Sequence, residues 1–236
     1  MNVKFREILI KRIEEEREAA KHISQDELAE EICNIGFKCL MCGKCCRREF
    51  GDNRVAVVPD EIRRIQKGSD LTWKAIVEPL NIEANSLQDE CYLQGESGMI
   101  DEDGNIHTFG WMLQRKNNGD CVFIPEEKKD SKCSIYELRP LLCSTYPFYM
   151  EELELRASEC EGIGGEITKQ DSKEIAGMLL KRYLGELQDT ILTYKNYDGF
   201  IPAKIGNVIA KSNLKQGYLN YVVHNSEGTY KVTKNI

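Results

Sequence analysis

FKCLMCGKCCR, residues Phe37 to Arg47, sets Cys39, Cys42, Cys45 and Cys46 within eight residues of one another. Thiolates are the soft ligands that zinc and iron-sulfur clusters select, and a Cys-x-x-Cys step curls back to bring two sulfurs to one centre. Gly43 allows the tight turn and close backbone approach that aim amide N–H groups at sulfur, which stabilises thiolate charge whatever the metal. Four more cysteines follow at Cys121, Cys133, Cys143 and Cys160. Eight sulfurs are enough for two four-ligand sites. Adjacent Cys45 and Cys46 do not easily point the same way, so they are candidates for different sites, and spacing alone leaves one site or two open.

The ligand set reads as all sulfur. Only three histidines occur, His22, His107 and His224, and none lies beside a cysteine pair, which argues against Cys2His2 zinc and Rieske-type centres. The Cys39 to Cys46 run opens like a bacterial ferredoxin motif, but its fourth cysteine is adjacent to the third instead of spaced from it. The Cys-x3-Cys-x2-Cys spacing of radical S-adenosylmethionine enzymes is absent. Cys33 lies beside Ile32 on the apolar side of a helix and Cys91 sits in DECYL, so both read as small buried hydrophobes. The opening residues are too charged for a signal peptide, no apolar run approaches membrane-spanning length, and a cytoplasmic location is expected. In a reducing compartment metal ligation accounts for ten cysteines better than disulfides do. A net charge of -7 argues against nucleic acid and anionic membranes as partners.

The 236 residues, 41% of them hydrophobic, suit a folded chain with a core. Residues 5 to 22 carry an apolar stripe of Phe5, Ile8, Leu9 and Ile13, predicting a helix. Ser24 and Glu27 have capping-box spacing for a second helix that Gly36 ends. Residues 54 to 58 read as a strand, Pro59 opens a helix to about Gly68, and Asp70 is placed to cap another that runs through Val77 to near Pro79. Asp103-Gly104-Asn105 and Asn117 to Asp120 predict two hairpins or a meander. Pro140 and Pro147 forbid a continuous helix over 133 to 150, leaving a helical turn at Ser134 to Leu138 and irregular chain after it. A helix is expected over 169 to 194 with Asp171 to Glu174 as its capping box, and then a hairpin around Ser226-Glu227-Gly228. The expected architecture is α+β: N-terminal helices over 1–36, a small loop-rich cysteine-cluster metal domain with short hairpins over 37–165, and a C-terminal helix and hairpin over 166–236 packed on the same domain.

The cysteines sit in five ordered motifs: CxxCGxCCR at Cys39 to Arg47, CVFI at Cys121, CSIYExRPxxC from Cys133 to Cys143, Tyr146-Pro147-Phe148, and CxGIG at Cys160. Together they resemble the YkgJ-like CxxCxxCC cysteine-cluster family, a zinc- or iron-chelating domain whose relatives include flagellin lysine N-methylases. The resemblance implies a metal or iron-sulfur site, with Cys39, Cys42, Cys45, Cys46, Cys121, Cys133, Cys143 and Cys160 as its ligands. Arg47 and Arg139 are candidates to contact an anionic cluster, a carboxylate or a phosphate, against the blander role of ion pairing. Gly162 and Gly164 in EGIGGE suit an anion-binding loop, or simply let the chain pass close to Cys160. Tyr136, Tyr146 and Tyr149 read as shields of the metal from water.

The function expected is that of an iron-sulfur redox or electron-transfer component, an oxidoreductase protein with a 4Fe-4S-type cluster and a protein redox partner. Two alternatives stand beside it. One is an S-adenosylmethionine-dependent lysine N-methylase-like enzyme with a protein substrate, and the other is a structural zinc or iron-handling protein. No acid-base pair or substrate pocket in the sequence selects among them.

Overall fold

The computed structural model describes residues 3–82, 86–126 and 132–235. The helices in chain order are α1 (Val3–Ala20), α2 (Gln25–Ile35), α3 (Pro59–Ser69), α4 (Trp73–Ile76), α5 (Leu87–Glu96), α6 (Leu141–Thr145), α7 (Lys169–Asn196) and α8 (Lys204–Lys215). The strands are β1 (Ala56–Val57), β2 (Val77–Pro79), β3 (Ile106–Phe109), β4 (Trp111–Leu113), β5 (Phe148–Glu151), β6 (Glu154–Ala157), β7 (Tyr218–Asn225) and β8 (Gly228–Asn235). The fold is therefore α+β with flanking helices, and no described helix is long and apolar enough to cross a membrane. The chain divides into two compact units, one built from 11–77 and 113–188, the other from 1–10, 78–112 and 189–236.

The first unit holds all eight clustered cysteines. Its core forms where the apolar face of α2, Leu28, Ala29 and Ile32, meets Phe148 of β5 and Ala176 and Leu179 of α7. Phe37 sets its ring edge-on against Phe148 at 5.7 Å between centroids, tying the segment before Cys39 to that core. Ser24 caps α2 by accepting from the Glu27 N–H at 3.3 Å, and Gly36 ends the helix at φ 72°. In α3 the buried positions are Ile62 and Ile65, with Pro59 opening the helix. Glu61 does two jobs: its carboxylate accepts from the Val58 N–H at 3.4 Å and from the Leu141 N–H at 2.7 Å. The second bond satisfies an otherwise unpaired donor at the start of α6, the helix that carries Cys143. Burial pushes the Glu61 carboxyl pKa up.

Several expectations are corrected here. Asp70 ends α3 in the left-handed region at φ 55° instead of starting α4, whose N-cap is Thr72. Val77–Pro79 is strand, not helix. Residues 141–145 are helical where irregular chain is expected. The turn between β5 and β6 places Glu152 and Leu153 at φ 49° and 71°, a hairpin without the Asn-Gly signature that marks such turns in sequence. Thr168, not Asp171, caps α7, accepting from the Asp171 N–H at 3.0 Å.

The second unit is organised on β7, most of whose residues are buried. It pairs antiparallel with β8 through a two-residue turn at Ser226 and Glu227, and parallel with β3. The C-terminal hairpin is as expected. The Asp103 to Asn105 turn closes only a single bridge, Ile100 to Ile106, because β3 takes β7 as its partner. Helices α5 and α8, unforeseen in the sequence, pack against each other, and Cys91 on α5 is buried, as its reading as a small hydrophobe requires.

A polar chain crosses this unit. His107 Nε2 lies 3.1 Å from Asp101 Oδ2, His107 Nδ1 lies 2.8 Å from His224 Nε2, and Thr229 Oγ1 lies 3.3 Å from His224 Nδ1. Two neutral rings satisfy it in one direction: Thr229 donates to His224, His224 donates to His107, and His107 donates to the Asp101 carboxylate. His107 also stacks on Phe200 at 3.6 Å. Burial lowers the His224 pKa to about 4, with the neighbouring His107 adding to the effect and Asp198 opposing it. Burial lowers that of His107 too, against Asp101 and with Lys231. The unfolded chain, with histidine near 6.5, therefore takes up more protons as the pH falls. The stabilisation is complete above pH 6.5 and lost as the pH drops toward 4. Unfolding free energies from urea titrations across that window should fall by on the order of 1 kcal/mol more in the wild type than in His224→Gln; parallel curves would refute the assignment.

Candidate metal centre

Gly43 stands at φ 72° and starts a 3-10 turn over Lys44–Cys46. That turn takes Cys45 and Cys46 out of the extended path, and their sulfurs lie 3.9 Å apart. The segment then meets the distant cysteines through the backbone. The carbonyl of Cys46 accepts from the Cys121 N–H at 2.9 Å and from Asn53 Nδ2 at 3.1 Å, and the same Asn53 nitrogen donates to the Gly119 carbonyl at 2.9 Å. Arg47 is turned to this junction too. Its guanidinium donates to Asp120 Oδ2 at 3.2 Å and to the Pro125 carbonyl at 2.6 Å, with its side chain 8% exposed.

The glycine-rich segment closes the other side. Lys38 N–H donates to the Gly162 carbonyl at 2.9 Å, Gly164 N–H donates to the Gly36 carbonyl at 3.0 Å, and Phe37 and Ile163 form an antiparallel bridge. A Cβ on Gly162 would stand 2.4 Å from the Lys38 carbonyl oxygen, so only glycine permits this approach. The Gly162 N–H points at Cys160 Sγ, 3.4 Å away. Lys44 and Glu161 add an ion pair across the clasp.

These joints surround a cavity of about 420 Å³, and all eight clustered cysteines, Cys39, Cys42, Cys45, Cys46, Cys121, Cys133, Cys143 and Cys160, line it. Cys33 and Cys91 do not. Arg139 and Gly162 are on the wall, as are Tyr136, Tyr146 and Tyr149, whereas Arg47 and Gly164 are not: one is held by Asp120 and the other is part of the backbone clasp. Arg139 lays its guanidinium 3.6 Å from the Tyr136 ring centroid and donates from Nε to the Tyr136 carbonyl at 2.9 Å. Arg182 of α7 also reaches the wall, bonded to Glu186 at 2.7 Å and Thr145 at 3.1 Å. Sequence reasoning missed Asn53, Glu61, Asp120 and Arg182 as positioning residues. Each works through a partner far along the chain, and none sits in a spacing that announces it.

The thiols crowd one another. Burial pushes the Cys121 thiol up to about 11, and raises those of Cys133, Cys143 and Cys160, with neighbouring cysteines contributing in the same direction. The hydrogen bond with Cys46, then burial, raises Cys45. Arg139 opposes the rise at Cys133 and Cys143, and the Gly162 N–H opposes it at Cys160. The donor set fits a soft metal: eight sulfurs, no histidine on the wall, and one carboxylate, Asp52, which is bonded to Arg54. As they stand the sulfurs ring a volume. Among the described residues, no group of three or more His, Cys, Asp or Glu side chains is placed to hold a single ion.

This ordered set of cysteines matches a family model, CxxCxxCC, described as "Putative zinc- or iron-chelating domain", over residues 38–161, more than half of the chain. The chain belongs to the CxxCxxCC family. No curated protein and no solved structure matches it. The CxxCxxCC match begins at the clasp residue Lys38 and ends one residue past Cys160, so it takes in the first and last sulfurs of the cavity. Metal binding is the property this membership carries.

Two outcomes check the division of the cysteines. Cys42→Ser and Cys133→Ser should each lower bound metal per chain and the unfolding midpoint, whereas Cys33→Ser and Cys91→Ser should leave metal content unchanged; elemental analysis decides, and equal loss from both groups would break the division. Arg47→Ala should cost about 3 kcal/mol in urea unfolding by stranding Asp120 in a buried site, a loss that a purely surface ion pair would not produce.

Proposed function

We propose that the chain is a cytoplasmic iron-sulfur redox protein whose eight-cysteine cavity holds the cluster and exchanges electrons with a protein partner. The observation that carries this reading is the convergence of sulfurs from Cys39 to Cys160 on one volume of about 420 Å³. A tetrahedral zinc ion draws four sulfurs to within about 3.8 Å of one another. A cavity of this size, with eight cysteines and no histidine on its wall, favours a centre of several atoms.

An iron-sulfur cluster would supply one-electron redox chemistry, with a potential set by charge, hydrogen bonds to sulfur and solvent access. A cubane cluster takes four thiolates, and the cavity wall carries eight cysteines. The Gly162 N–H is already aimed at Cys160 Sγ, and a backbone donor there stabilises the more negative state. Tyr136, Tyr146 and Tyr149 close part of the wall with aromatic surface, and Tyr146 is fixed by its hydroxyl donating to the Glu159 carbonyl. On the other side Leu40 and Met41 line the cavity while remaining 56% and 55% exposed. The site thus reaches the surface, as electron exchange with a partner requires.

Iron, zinc and acid-labile sulfide should be measured per chain on protein purified without air, with absorption spectra before and after dithionite. Iron with matching sulfide and a visible band that dithionite bleaches is the expected result. Zinc without sulfide would replace this reading with a structural or metal-handling one.

A further inference from the structure

We propose that the cysteines of the cavity form two separate metal centres, an outer one on Cys39, Cys42, Cys45 and Cys160 and an inner one on Cys46, Cys121, Cys133 and Cys143. This rests on the reading of the cavity as a metal site but not on which metal fills it. An iron-sulfur cluster takes only four of the eight thiolates, and the remaining four converge on the same volume.

The boundary falls between two adjacent residues. Cys39-x2-Cys42-x2-Cys45 has the spacing of the first three cysteines of a bacterial ferredoxin run, in which the next cysteine serves a different cluster. Here the next cysteine, Cys46, follows without a spacer, and the 3-10 turn begun at Gly43 gives the two residues different neighbours. Cys45 shares a recess of about 80 Å³ with Tyr146 and Ser158, and the Tyr146 hydroxyl donates to the carbonyl of Glu159, next to Cys160. Cys46 instead accepts the Cys121 N–H on its carbonyl at 2.9 Å. Their sulfurs, 3.9 Å apart, set the two centres side by side.

The other cysteines are tied to one side or the other. The Lys38 N–H bond to Gly162 and the Lys44–Glu161 ion pair hold the Cys39 to Cys45 segment against that of Cys160. On the inner side the Ser134 N–H donates to the Phe123 carbonyl at 2.9 Å, joining the segments of Cys121 and Cys133. Arg139 favours the thiolates of both Cys133 and Cys143. Besides burial, the thiols that act on Cys160 are Cys45, Cys39 and Cys42, and those that act on Cys143 are Cys121, Cys45 and Cys133. Cys45, at the border, reaches both. Exposure divides the same way: Cys39 and Cys45 are exposed and no outer cysteine is buried, whereas Cys121 is buried and no inner cysteine is exposed.

The test is metal and acid-labile sulfide per chain, measured on protein purified without air, for wild type and serine variants singly and in pairs. Cys39→Ser and Cys160→Ser should each remove one portion of the metal, and the pair should remove no more than either alone. Cys133→Ser should remove the other portion, so that Cys160→Ser with Cys133→Ser empties the chain. The border is read by the same additivity: Cys45→Ser added to Cys160→Ser should cost no further metal, whereas Cys46→Ser added to Cys160→Ser should cost the rest. Should an inner variant fail to fold, the exposed Cys39 decides, since Cys39→Ser must keep part of the metal. Loss of all metal from any one folded variant, metal unchanged in the inner variants, or Cys46→Ser adding nothing to Cys160→Ser would each overturn the proposal. Zinc without sulfide, lost in separate portions from the two sets, would sink the redox reading and leave this one standing; iron and sulfide lost whole from every single variant would do the reverse.

Discussion

Eight thiols facing one cavity are tolerable to the protein alone only while most stay protonated. Burial raises the thiol pKa of Cys121, to about 11, and those of Cys133, Cys143 and Cys160, and neighbouring cysteines push in the same direction. A soft cation inverts that balance, since it binds thiolate and not thiol and releases protons as it enters. The remaining features of the cysteine unit can be understood as devices that hold mutually unfavourable groups together. They include the Cys46 to Cys121 backbone bond, the Asn53 staple, the buried Arg47–Asp120 pair and the Glu61 bridge to α6.

Those devices are unequal in kind. The Arg47–Asp120 pair draws its strength from being nearly out of water and would be far weaker at the surface. The Glu61 contact is local chemistry used at long range, a helix-capping carboxylate whose second oxygen starts another helix 80 residues later. The core of α2, β5 and α7 provides the rigid backing on which Phe37 positions the entry to Cys39.

How much of this was legible in the sequence follows from range. Ser24, Gly36 and Pro59 act on residues within one helical turn, and each stands where the spacing places it. The C-terminal hairpin was equally readable, because its alternation and turn are contiguous. Asp70 misled because the same residue type suits a helix start and a left-handed helix end. The parallel pairing of β3 with β7 joins segments more than a hundred residues apart, and no local pattern encodes a partner at that distance. At the candidate site the eight cysteines announced themselves by type and motif. Asn53 and Asp120 did not, since asparagine and aspartate in turns are ordinary until their partners are known. Arg47 was singled out for its charge, and the structure turns that charge to Asp120 instead of the cavity.

The clasp between Gly36–Lys38 and Gly162–Gly164 is made of main-chain bonds, with glycine required where the two segments touch. Its bonds run between peptide groups, so the exposed Leu40 and Ile163 can be exchanged at little cost to the approach that places Cys39 and Cys160, whereas Glu161 pairs with Lys44 across the clasp and Met41 stands at φ 50°. A scaffold of this kind separates the conserving of a centre from the diversifying of its rim, so that selection can retune what approaches the cavity while leaving its walls where they are.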